Sequence, residues 1–210
     1  MKRTICLLLL LALCLCVMPG CAKQDTTGLL EAAPALIRQS AELNEIYYGK
    51  GIPYDGMGEP IGVYYPADPE YMDKQEFKTV DGLKKLTAKV FSEAYCQAIY
   101  ASTLSGFAAE GSGYIYARYS SNQPENLRDE NEGILVSSTA ENKLEHRASI
   151  TYKYDQIRLG KVGRNYAIVI IPTITEFYAD DDHPTDYTVR EDMEIKFVYE
   201  SGWRIDSATY

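Results

Sequence analysis

Tyr187-Thr188-Val189-Arg190-Glu191-Asp192-Met193-Glu194-Ile195-Lys196-Phe197-Val198-Tyr199 decides the class of this fold. In its second half Met193, Ile195, Phe197 and Tyr199 fall on one side, with Glu194 and Lys196 on the other. A period of two is that of a strand with one face on a core. Ser201-Gly202 then turns the chain into Trp203 to Asp206, which supplies an antiparallel neighbour. Upstream, Ser149 to Arg158 and Tyr166 to Tyr178 read as a hairpin joined around Gly160-Lys161-Val162-Gly163. Tyr114 to Tyr119 and Ile134 to Ser138 are two further strands. Tyr152 and Tyr154 share a face with Ile150, so they read as sheet packing. Many of the 18 tyrosines fit half-buried strand positions better than a stacking surface for sugars.

The front of the chain has a different period. Leu29, Ala33, Leu36, Ile37, Ser40, Leu43 and Tyr47 recur at three- and four-residue steps, predicting a helix from Leu29 to about Tyr48. Gly49-Lys50-Gly51-Ile52-Pro53 ends it. From Tyr54 to Lys78 prolines and glycines predict an irregular segment, pinned to the core by its aromatics. A second helix starts near Thr79-Val80-Asp81, with Leu83, Leu86 and Val90 as its stripe. Ser92 caps a third, which runs through Tyr95 and Ile99 to about Ser105-Gly106. Helices first and short-linked strands second predict an α+β fold: N-terminal helices on a curved antiparallel sheet, in one domain over 29–210.

The first twenty residues read as an export signal. Lys2 and Arg3 precede Ile5 to Val17, a run of 13 residues, where a membrane-spanning helix needs roughly 20. Met18-Pro19-Gly20-Cys21 resembles a bacterial lipoprotein cleavage box. It predicts cleavage before Cys21, lipidation of that thiol, and a tether over 21–28; a plain secreted protein cut nearby is the alternative. The chain is then held at the outer face of the cytoplasmic membrane. Of the 21 basic and 30 acidic residues, the leader holds two basic and no acidic ones. The mature domain therefore has 19 against 30, a net charge of −11. Such a surface repels nucleic acid and favours basic partners or solubility alone. Cys6, Cys14 and Cys16 leave with the leader, so Cys96 is the one thiol left beside Cys21, and it reads as a small core residue.

Chemistry-bearing motifs are sparse. His146 and His183 read as lying on separate edges of the sheet. Asp180-Asp181-Asp182-His183 has oxygen ligands but not the spacing of a calcium loop, so an acidic turn is the better reading. Gly111-Ser112-Gly113 lacks the strand–turn–helix setting of a nucleophile elbow. No cofactor, metal or catalytic residue is indicated. Two acidic loops, one carrying Glu125, Asp129, Glu130 and Glu132 and the other Asp180, Asp181 and Asp182, are candidate contacts for a partner, or simply solvated turns.

Tyr47-Tyr48-Gly49-Lys50-Gly51-Ile52-Pro53-Tyr54-Asp55, Tyr64-Tyr65-Pro66, the run from Phe77 to Leu86 into Val90-Phe91-Ser92, and the closing Tyr199-Glu200-Ser201-Gly202-Trp203-Arg204-Ile205-Asp206 resemble the IseA family of Gram-positive cell-wall proteins. The resemblance spans roughly residues 29 to 208. It implies a helical head on a curved antiparallel sheet. It also implies a non-enzymatic inhibitor of NlpC-type D,L-endopeptidases, the autolysins that cut peptidoglycan stem peptides. The alternatives are an NTF2-like cone holding a small ligand between helices and sheet, and a scaffold lipoprotein. A side-chain-filled interior favours the inhibitor; a deep polar pocket favours the cone.

Overall fold

The computed structural model describes residues 24–54, 56, 60–109, 113–121, 133–180 and 182–210. Cys21 lies outside them. Helix α1 (Leu29–Tyr47) is followed by strand β1 (Tyr64–Pro66) and the short helix α2 (Pro69–Asp73). Helices α3 (Val80–Val90) and α4 (Glu93–Thr103) come next. The strands are β2 (Phe107–Ala109), β3 (Gly113–Ile115), β4 (Tyr119–Ser121), β5 (Ile134–Ser137), β6 (Arg147–Tyr152), β7 (Arg158–Val162), β8 (Tyr166–Phe177), β9 (Tyr187–Tyr199) and β10 (Trp203–Ile205). The expected α+β class is what forms: helices packed on a curled antiparallel sheet. Among the described residues no helix is long and apolar enough to cross a membrane.

The main sheet runs β10-β9-β8-β6, with β7 also paired to β8. Ile195 and Phe197 of β9 and Ala167, Val169 and Ile171 of β8 are fully buried, in one cluster with Leu29, Ala33 and Ile37 of α1. The layer between helices and sheet is therefore filled with side chains. Tyr199 departs from the expected inward face. At the strand end it is 57% exposed and stands edge-on to Trp203 at 5.4 Å.

The expected single strand from Ser149 to Arg158 is two strands with a 3-10 turn at Tyr154–Gln156 between them. Both pair with β8: β6 from Arg147↔Phe177 to Tyr152↔Thr173, and β7 from Arg158↔Ile170 to Val162↔Ala167. Pro172 lies at the changeover, where its carbonyl accepts from the Lys153 amide at 2.9 Å. A strand residue directs N–H and C=O to the same side, so the N–H that proline lacks would face the gap between β6 and β7. That is why a proline is tolerated mid-strand. Tyr114 to Tyr119 likewise divides, into β3 paired with β2 and β4 paired with β5. The segment 54–78 is more regular than expected. β1 pairs with β5, and Asp68 caps α2 by accepting from the amides of Glu70 and Tyr71.

The helix starts follow the sequence. Thr79 accepts from the Gly82 amide at 3.0 Å and Ser92 from the Tyr95 amide at 3.1 Å. The last residues lock α1 to the sheet. Thr209 is fully buried, its Oγ1 2.8 Å from both Ser40 Oγ and Asn44 Nδ2, and its carbonyl accepts from Tyr152 Oη at 2.6 Å. Thr209→Val keeps the shape and removes the acceptor for Asn44. Stability is expected to fall by about 2 kcal/mol in urea unfolding; a loss under about 0.5 kcal/mol contradicts this role for Thr209.

Burial of phenols gives the fold a pH limit. Desolvation pushes Tyr152 and Tyr210 up to about 12, against roughly 10 in an unfolded chain. It also raises Tyr47, Tyr95 and Tyr100. The folded state favours the neutral phenol, so this contribution is complete below about pH 10 and is lost as pH climbs toward 12. Tyrosinate absorbance in that window is expected to rise together with loss of ellipticity. A rise complete while the ellipticity is intact contradicts it.

Candidate functional site

The corner after α1 is held by a set of buried side-chain hydrogen bonds. Tyr119 Oη donates to the Ile46 carbonyl at 2.5 Å and accepts from the Ile52 amide at 3.0 Å. Arg118, 8% exposed, has no carboxylate hydrogen-bond partner among the described residues. Its guanidinium instead donates to the carbonyls of Gly49 and Glu141 and to Tyr119 Oη. Arg118 and Tyr119, where the chain enters β4, are thus two adjacent side chains that hold residues 46–52 in place. Gly51 has φ +78°, and a Cβ there would lie 2.5 Å from Arg118 Nη2 and 2.9 Å from Tyr119 Oη.

Beside this corner α1, α2, the 74–77 segment and α3 enclose an open groove of about 560 Å³. Leu43, Ile46, Phe77, Leu86 and Val90 make its apolar floor, with Tyr71 on the wall. Gln39, Glu42, Gln75, Glu76, Lys50 and Lys74 form a rim of both charge signs. Glu45, also at the rim, is bonded to Arg147 Nη2 at 2.9 Å. No residue of the main sheet lines the groove; its floor residues Leu43, Ile46, Phe77 and Val90 are the outer side of the cluster that fills the helix–sheet interior. Its residues come from four parts of the chain and form no motif; Leu86 and Val90 were visible in the sequence only as an apolar stripe.

The sequence-predicted contacts fare differently. Glu125, Asp129, Glu130, Glu132 and Asp181 lie outside the described residues. Asp180 and Asp182 sit in the turn between β8 and β9. Asp180 Oδ1 accepts from the amides of Asp182 at 3.0 Å and His183 at 2.7 Å. These bonds, the His183 amide first, hold its carboxyl below the usual range. Asp180 therefore shapes its own turn, and Asp182 and Asp186 are exposed carboxylates there. The two histidines share one end of the sheet. The His146 carbonyl accepts from the Tyr178 amide, and the His183 ring stacks on Tyr187 at 4.1 Å. Among the described residues no group of three or more His, Cys, Asp or Glu is placed to hold a metal ion.

Two reactive side chains are consumed structurally. Ser92, 1% exposed, donates to Asp206 Oδ1 and caps α4, while Lys196 Nζ takes the other Asp206 oxygen at 2.6 Å. Cys96 is 3% exposed, and burial pushes its thiol up, away from the reactive thiolate. Among the described residues every buried side-chain nitrogen and oxygen has a hydrogen-bond partner.

No family model, curated protein or solved structure matches the chain.

Proposed function

We propose that this protein is an envelope-anchored lipoprotein that inhibits an NlpC-type D,L-endopeptidase of the cell wall, covering the enzyme's cleft by docking and performing no turnover itself. The observation that carries this reading is the groove. Two of the segments behind the family likeness, 47–55 and 77–92, meet at it, through Lys50 and Gly51 on one side and Phe77, Leu86 and Val90 on the other. An apolar floor inside a charged rim is the anatomy of a protein-binding patch. Its volume also suits a small molecule, but its walls are helical and open, and the helix–sheet interior where an NTF2-like cone holds its ligand is filled.

The test mixes purified mature domain with such an endopeptidase and follows release of stem-peptide fragments from wall. Hydrolysis is expected to fall as domain is added, with a stoichiometric complex on gel filtration. Unchanged hydrolysis at micromolar excess, with no complex, overturns the reading.

A further inference from the structure

Residues just after the lipidation point are fastened to one end of the sheet. The Gln24 amide donates to the Gly163 carbonyl at 2.9 Å, and Trp203 Nε1 donates to the Thr27 carbonyl at 3.4 Å. Gly163 belongs to the β7–β8 turn and Trp203 opens β10, and the pairs Tyr166↔Val198 and Trp203↔Tyr199 put both turns at the same end. Cys21 precedes Gln24 by three residues, at most about 11 Å of extended chain. The expected tether over 21–28 is thus docked from Gln24 onward, leaving little slack.

The β7–β8 turn at that end differs in charge from the rest of the acidic chain. No Asp or Glu occurs between Asp155 and Glu176, while Lys161 and Arg164 are both exposed at the β7–β8 turn. Of the carboxylates near this end, Asp206 is paired with Lys196 at 2.6 Å. Asp25, Glu93 and Glu200 are exposed, Glu200 accepting from the Glu93 amide at 3.1 Å and Asp25 from the Thr27 amide at 2.9 Å, so the positive patch is the β7–β8 turn itself. Tyr199 projects beside them, 57% exposed. Cations and an exposed tyrosine next to a lipid anchor match the chemistry of an anionic headgroup layer.

We propose that this end of the sheet rests on the anionic membrane surface, with Lys161 and Arg164 as its charge contacts and Tyr199 at the interface; this rests on the anchor reading at Cys21. β8 spans 12 residues, about 36 Å at strand rise, and the acidic β8–β9 turn lies at its far end. α1 starts beside Thr27 and ends where Glu45 meets Arg147, the partner of Phe177 at that far end. The groove's α1 lining, Gln39 to Ile46, therefore lies on the half directed away from the membrane. Its α3 lining, Leu86 and Val90, adjoins β10, where Phe91 bridges Ile205, so the groove spans both halves.

The test uses the full lipidated chain in phosphatidylglycerol-containing vesicles carrying a headgroup spin label, with a fluorophore at Asn165→Cys or at Thr185→Cys; buried Cys96 stays unlabelled. The probe at 165 is expected to be quenched and the probe at 185 to keep its intensity. Adding K161Q and R164Q should reduce the quenched population roughly fivefold per charge removed, an effect absent in phosphatidylcholine vesicles. Equal quenching at both probes, or quenching untouched by the charge changes, overturns the orientation while the anchor stands. A chain that carries no lipid and does not float with vesicles overturns the anchor and this proposal together.

Discussion

Gly51→Ala is expected to lower stability by about 3 kcal/mol, from two costs of similar size. The first is the left-handed backbone, φ +78°, which costs an L-residue about 1–2 kcal/mol. The second is the added methyl, 2.5 Å from Arg118 Nη2 and 2.9 Å from Tyr119 Oη. A guanidinium tip normally yields cheaply, but this one is buried and bonded to the carbonyls of Gly49 and Glu141. Moving it leaves those carbonyls without their donors, at about 1–3 kcal/mol. Gly28 is the internal control. Its φ is +73°, yet nothing lies within 4 Å of a Cβ there. Gly28→Ala should therefore cost only the backbone term, about 1 kcal/mol. In thermal unfolding the Gly51 variant is expected to melt roughly 10 °C lower. Equal losses at the two glycines contradict the role given to Arg118 and Tyr119.

The second large effect concerns docking. Gln75→Trp places an indole in the groove beside Tyr71 and Phe77 without disturbing a buried group, since Gln75 is only half-buried. Closing a central apolar pocket at an interface costs about 2 kcal/mol, close to 30-fold in affinity. Calorimetric titration against the endopeptidase is expected to show that loss, with an unchanged melting temperature. Asp182→Asn, in the acidic turn, should change the affinity by about twofold or less, mainly through the association rate at low salt. The reverse ranking moves the contact surface to the turn.

What could be read from the sequence depended on whether a local signal matched a local cause. The alternation at Met193, Ile195 and Phe197 was legible because a single face of β9 is buried. Thr79 and Ser92 were legible because caps bond to amides within three residues of themselves. Tyr152 and Tyr154 do pack against the core as their shared face with Ile150 implied, but the alternation did not reveal that the strand ends at Tyr152 in a 3-10 turn, because the Lys153 bond to Pro172 lies across the sheet. Asp68-Pro69 did carry a readable helix start, hidden among the prolines around it. That the Asp180 carboxylate bonds the amides of its own turn was not legible, because spacing does not show which way a carboxylate folds. The groove has no signature at all: Gln39, Lys50, Gln75 and Leu86 are brought together only by the packing of α1, α2 and α3.

Hydrogen exchange of the mature domain with and without the endopeptidase tests the docking claim most directly. Binding at the groove predicts slowed exchange of amides in 39–51 and 71–77, with the β8–β9 turn unchanged. Protection confined to that turn, or none anywhere in a mixture where wall cleavage continues, contradicts it.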